Sequence, residues 1–211
     1  MGRISHDNLI DNIENFHKFG IYVPTRTIKL EAEMNFDDGG ELGVGFSMSS
    51  KFLKNLTILE SLNSDPITVI FETFGGCEYH GFSVYDAIKA SPCHIIIRCC
   101  GAIMSMGTII LQAGDERVLR PHTSMMFHDG IGFAGGNHYE TRNMAEFESK
   151  VGLKGDKIIY DKINEKRVKD NKALMAKRTF EEMCLKSKWM FAEEAVDMGL
   201  ADRIEYPQNH E

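Results

Sequence analysis

The sequence predicts an α/β fold, and three features predict it. Ile67–Phe71 follows Pro66 as a nearly continuous apolar run, and Ile95-Ile96-Ile97 is a second such run. Short uninterrupted runs of this kind are what strands buried on both faces look like. Each is followed by a segment suited to a helix, Phe82–Ile88 after the first and Ser105–Ala113 after the second. Alternation of strand and helix calls for crossover connections within one α/β domain.

The remaining elements follow in order. Residues 1–24 read as an N-terminal arm, in which Leu9, Ile10, Ile13 and Phe16 lie at helical spacing and Gly20 and Pro24 end the segment. The main domain is expected over residues 25–206. It opens with a strand at Arg26–Leu30, a turn-rich loop at Asn35–Gly40, and a helix from Gly45 to Leu62 marked by Phe46, Phe52, Leu53, Leu56 and Leu59. Gly75-Gly76 breaks the chain after the first buried strand. Gly114 is the expected C-cap of the helix that starts at Ser105, a position that favours glycine. Val118-Leu119 and Met125–Phe127 read as short strands. Gly130–Gly136 is glycine-rich and polar, and Tyr139–Lys177 is a long charged helical stretch with an apolar stripe of Ile158, Ile159 and Ile163. Glu193–Met198 is a last short helix capped at Gly199, before a strand around Arg203–Glu205 and a tail at residues 207–211.

Composition narrows the function classes. A chain of 211 residues fits one ordinary domain with a real core. Net charge of −7 argues against non-specific nucleic-acid binding, which needs clustered lysine and arginine. No apolar run approaches the ~20 residues that span a bilayer, and the polar, mixed-charge start is no signal peptide. The expectation is a cytoplasmic protein with no membrane partner. Five cysteines form no disulfide framework, and adjacent Cys99-Cys100 lacks zinc-site spacing, so packing is the expected role.

Two residues carry the candidate chemistry. Ser105 sits at an expected strand-to-helix turn, between Gly101 and Gly107. A serine there is ordinarily an N-cap. It becomes a nucleophile if a base takes its proton, and free N–H groups at the helix start would suit a developing oxyanion. His128 follows a short apolar run, and its side-chain type suits the base. The plain alternative is a histidine hydrogen-bonded at a strand end.

The segment Gly101-Ala102-Ile103-Met104-Ser105-Met106-Gly107 resembles the Gly-x-Ala-x-Ser-Met-Gly pattern of the ClpP-type serine peptidases. Three more motifs follow that family's order: Gly75-Gly76 after a strand, Met126-Phe127-His128, and Ala192-Glu193-Glu194-Ala195 running to Gly199-Leu200-Ala201-Asp202. The resemblance covers about residues 26–204. It implies a ClpP/crotonase-like α/β fold of repeated ββα units with a helical handle at about 130–178, and a serine endopeptidase. Ser105 would be the nucleophile, His128 the base, and the backbone amides of Gly76 and Met106 the oxyanion donors. Substrate would lie extended between the Gly75, Cys77 and Glu78 segment and the Gly130-Ile131 loop, adding a strand to each. The family also implies peptide or unfolded-protein substrates, self-association into heptameric or tetradecameric rings, an AAA+ unfoldase as a partner, and no metal or organic cofactor.

The chain also departs from that pattern. Met104 replaces the small residue before the serine, and Glu72-Thr73-Phe74 precedes the glycine pair. The stretch corresponding to the family's third catalytic residue, Thr179–Trp189, contains no aspartate. Glu181, Glu182, Asp170 and Ser187 are open alternatives, as is a Ser-His dyad completed by a carbonyl or water. These departures point to a divergent relative, of a phage or capsid-maturation kind. Two other readings stand beside the peptidase: a catalytically impaired structural subunit, and an acyl-CoA hydratase or isomerase of the crotonase superfamily.

Overall fold

The structure is a computed structural model that describes residues 6–30, 43–132 and 134–207. The loop expected at Asn35–Gly40 lies outside the described residues. Helix α1 (His6–Phe19) turns at Gly20 into strand β1 (Ile21–Tyr22), a 3₁₀ turn at Val23–Thr25, and β2 (Thr27–Leu30). Then come α2 (Phe46–Leu62), β3 (Ile67–Thr73), α3 (Glu78–Ala90), β4 (Ile95–Met104), α4 (Met106–Leu111), β5 (Glu116–Leu119) and β6 (Ser124–Phe127). The long α5 (His138–Lys169), α6 (Lys177–Leu185), β7 (Lys188–Phe191), α7 (Ala192–Met198) and β8 (Arg203–Ile204) complete the chain.

The sheet runs β1-β2-β3-β4-β5-β8, with every pair parallel except β1 with β2. Strand β4 serves two partners in turn. Its Ile96–Cys99 pair with β5, and its Ala102–Met104 pair with β6, which is antiparallel to β7. Gly101 sits between the two halves at φ 59°, a backbone conformation that side-chain-bearing residues resist. Beyond that switch the end of β4 exchanges β5 for β6 as its neighbour while Ile103 still pairs with Thr73 of β3.

One face of the sheet is the core. Ile28, Leu30, Val69, Phe71, Ile95 and Ile97 are fully buried against Met48, Phe52, Leu56 and Leu59 of α2 and Val84 and Ile88 of α3. Each large apolar side chain so buried contributes about 1.5–3 kcal/mol. The other face corrects an expectation. Thr68 and Ile70 are only half-buried, so β3 alternates and is not covered on both sides. Helices α2 to α4 pack on the inner face, while Thr68 and Ile70 line an open surface cavity with Arg98 and Arg120.

Three further local expectations change. Helix α4 ends at Leu111 with Gln112 in right-handed geometry, and Gly114 is not a left-handed cap. The reason is tertiary: the buried Gln112 side chain bonds Thr108 O and Leu200 O and accepts from Arg117, which stops the helix at that point. Arg117 in turn holds Asp202 through two side-chain hydrogen bonds, tying β5 to the C-terminal segment. Helix α5 starts at a capping box, Asn137 with Glu140. It stops at Lys169, short of Lys177, because Asn171 turns to φ 55°. Helix α6 and strands β1 and β7 were not anticipated. The Gly199 cap is as expected, at φ 107°.

Candidate active site

The register of β4 with β6 builds the site. Met104 pairs with Met126, which sets Ser105 level with Phe127 and His128 one residue further on. Ser105 N–H donates to Met126 O at 2.8 Å, and the Thr108 hydroxyl donates to the same oxygen at 3.0 Å. The Ser105 Oγ and His128 Nε2 atoms are 2.9 Å apart. With the ring proton on Nδ1, the hydroxyl donates and Nε2 accepts.

Ser105 itself is held at φ 52°, ψ −121°, outside every region favoured for a residue with a side chain. It is therefore not the first residue of the helix but its N-cap, and its hydroxyl caps no helix amide. That leaves the Met106 N–H without an acceptor among the described residues. The Gly76 N–H is likewise without one among the described residues, since the neighbouring bonds run from Val44 N to Gly75 O (2.6 Å) and from Cys77 N to Val44 O (2.8 Å). Both amides border one cleft with Ser105 and His128.

The glycine pair is required by packing. At Gly75 an added Cβ would lie 2.6 Å from Ser105 Cβ and 3.2 Å from its Oγ. At Gly76 it would lie 2.5 Å from the backbone of Val44, so the bridge to Val44 excludes a side chain there. Cys77, Glu78, Gly130 and Ile131 line the cleft as well, whereas Gly75 lies beneath Ser105 and off the lining.

The cleft has a volume of about 490 Å³. Its lining includes Glu78, Asp129, Glu148 and Asp156, and among the described residues no lysine or arginine. Burial pushes the Glu78 carboxyl up, with Glu148 adding to it. Burial, then the Asp129 charge, pushes Asp156 up to about 6. The Cys184 thiol, which donates to Asp156 Oδ1 at 3.7 Å, is pushed up to about 12 by burial and by that carboxylate, and stays neutral. Sequence reading missed Glu148 and Asp156. Their only signal was the four-residue spacing Glu148, Gly152, Asp156 that places them on one helix face.

The four alternatives for a third group do not enter the cleft. Glu181 and Glu182 pair along α6 with Lys177 (3.6 Å) and Arg178 (3.0 Å). Asp170 pairs with Lys166 at the end of α5, and Ser187 sits in the turn before β7. Among the described residues, His128 has no hydrogen-bonded carboxylate.

This arrangement has relatives. The family model described as Clp protease matches residues 43–208. The ATP-dependent Clp protease proteolytic subunit 1 of Salinibacter ruber is 28% identical over 160 residues, 72% of this chain and 64% of that protein. The ATP-dependent Clp protease proteolytic subunit 2 of Prochlorococcus marinus is 31% identical over 147 residues, 67% of this chain and 66% of that protein. The matched region thus spans about two thirds of the length of these relatives. The solved structure of a ClpP1 point mutant from Listeria monocytogenes shares the fold, with a TM-score of 0.70 at 20% identity, covering 89% of this chain and 95% of that one. By the extent of the family match and the shared fold, the chain belongs to the Clp protease family.

Proposed function

We propose that this chain is a serine endopeptidase. The observation that carries the reading is the 2.9 Å contact between Ser105 Oγ and His128 Nε2, beside two amides that have no acceptor among the described residues. Ser105 Oγ attacks the peptide carbonyl carbon while its proton passes to His128 Nε2. The tetrahedral oxygen takes hydrogen bonds from the Gly76 and Met106 amides. His128 returns the proton to the leaving amine as the C–N bond breaks, leaving an ester on Ser105. Water then attacks the ester, giving its proton to His128, and His128 reprotonates Ser105 as the acid leaves.

The substrate is a peptide or unfolded protein lying extended between Cys77-Glu78 and Gly130-Ile131, both of which border the cleft. Family membership supports assembly into heptameric or tetradecameric rings and an AAA+ unfoldase as feeder. Among the described residues no helix is long and apolar enough to cross a membrane.

A fluorophosphonate reacts with an activated serine and tests this. The expected result is a covalent adduct on Ser105, found by peptide mass spectrometry and absent in His128→Ala. A folded, assembled sample with no adduct would overturn the reading. It would favour a catalytically impaired subunit, for which the lack of a carboxylate on His128 is the supporting observation. The hydratase or isomerase alternative needs no serine-histidine contact and finds no support in this geometry.

A further inference from the structure

One wall of the cleft is α5, whose Glu148, Gly152, Asp156 and Ile159 all reach the lining. Gly152 has open space where its Cβ would stand, so the helix backbone itself borders the cleft there. Asp156 lies half-buried one helical turn further on, with Ile109 and Ile159 in the same lining. Among the described residues its hydrogen-bond partner is the neutral Cys184 thiol at 3.7 Å, a weak donor.

A partly desolvated carboxylate is ordinarily paired with a cation. Asp156 finds none in this chain's cleft, and Glu78, Asp129 and Glu148 add charge of the same sign. Among the described residues no group of three or more side chains is arranged to hold a metal ion. An organic cation carried by the substrate would match this charge. The aliphatic sides of Ile109 and Ile159 suit the methylene stem of such a side chain, whose charged head seeks a polar end.

We propose that Asp156 is the specificity-determining residue of this cleft, and that it selects peptides carrying an arginine or lysine side chain beside the scissile bond. The inference rests on the peptidase reading of Ser105 and His128. It asks which peptide that site prefers, and it has its own readout.

The preference has a pH signature. Asp156 faces Asp129 at the end of β6, Cys184 and Glu181 of α6, and Glu78 of α3. With its carboxyl pushed up to about 6 by burial and then by Asp129, it is charged above that pH and neutral below it. Discrimination for a basic side chain should be full at pH 7.5 and fade as pH falls through 6 toward 5.

The test uses full-length Ser105→Ala protein, which binds without turning over. Fluorescein-labelled hexapeptides differing at one position, arginine, norleucine or glutamate, are titrated by anisotropy. The arginine peptide should bind at least about tenfold tighter than norleucine at pH 7.5, as expected for a charge pair in a partly desolvated site. The ratio should approach one at pH 5 and in the Asp156→Asn background. Equal affinities, no measurable binding of the arginine peptide, or a ratio unmoved by pH would each overturn the proposal. The pH series needs no substitution at Asp156, so a misfolded variant does not rescue the idea. Fluorophosphonate labelling of the wild-type protein scores the catalytic reading separately.

Discussion

Replacing Gly75 with alanine should disable the site while leaving the fold. The added Cβ would stand 2.6 Å from Ser105 Cβ, whereas nonbonded carbons settle at about 3.5–4.0 Å. Relief therefore requires Ser105 or the Gly75 backbone to move by about 1 Å. The backbone at Gly75 is at φ 112°, so alanine also carries conformational strain of about 1–3 kcal/mol. A domain of this size holds about 5–15 kcal/mol, so the variant should remain folded. Its melting temperature should fall by about 2–12 °C, at roughly 2–4 °C per kcal/mol. Displacement of a nucleophile by about 1 Å costs on the order of 100-fold in rate. The assay is the rate of fluorophosphonate labelling at Ser105, with circular dichroism as the fold control. A folded Gly75→Ala protein that labels at the wild-type rate would refute the argument that Gly75 sets the position of Ser105.

Two stability predictions follow from buried charge. Burial alone would raise the Asp202 carboxyl, but the hydrogen bonds and charge of Arg117 outweigh it and hold the group below the usual carboxylate range. A depressed folded value means stability that is present above the unfolded value, about 3.9, and lost as pH falls through the folded one. Asp202→Asn should therefore lower the melting temperature at pH 7, and the gap to wild type should close below about pH 4; a gap constant with pH would contradict this. Arg26 is 9% exposed and donates to Leu59 O, Asn63 O and Asp65 O around the C-terminal end of α2. Arg26→Met should cost on the order of 3 kcal/mol in denaturant unfolding, the upper range for charged hydrogen bonds, and a loss below about 1 kcal/mol would show those carbonyls well served without it.

What the sequence made legible depended on how local the cause was. Gly199 was readable as a cap because a left-handed glycine after a short helix is set by the few residues around it. Gly114 looked equivalent and is not, because Gln112 is tied down by Arg117 and by Leu200, the latter far away in the sequence. The apolar run Ile67–Phe71 identified a strand but not its exposure, since coverage of the second face depends on where other elements pack. Helix α6 was hidden by its charge, although Phe180, Met183 and Cys184 lie at helical spacing. The contact of Ser105 with His128 lay within reach because adjacent strands β4 and β6 carry both. Asp156 and Glu148 arrive from a different helix, and no local pattern announces where that helix will dock.

The stretch that in the family pattern supplies a third catalytic residue has a different use here. Its helix α6 ends at Leu185, and the Cys184 carbonyl accepts the Asp129 N–H at 3.3 Å, one residue from His128. The Cys184 thiol points the other way along this network, to Asp156. A neutral thiol and a carbonyl thus tie the histidine loop to α6 and α5. The carboxylates that line the cleft, Glu78, Asp129, Glu148 and Asp156, come from other elements, and among the described residues none hydrogen-bonds the imidazole. Such a site keeps the geometry for proton transfer between Ser105 and His128 but gives the imidazolium no hydrogen-bonded carboxylate among the described residues. On the peptidase reading proposed above, acylation should be slower than with a complete triad, and a cationic substrate side chain would neutralise the anionic cleft. On this account, a bound basic side chain beside the scissile bond relieves the repulsion among Asp156, Asp129 and Glu78, and binding and specificity share one electrostatic cause.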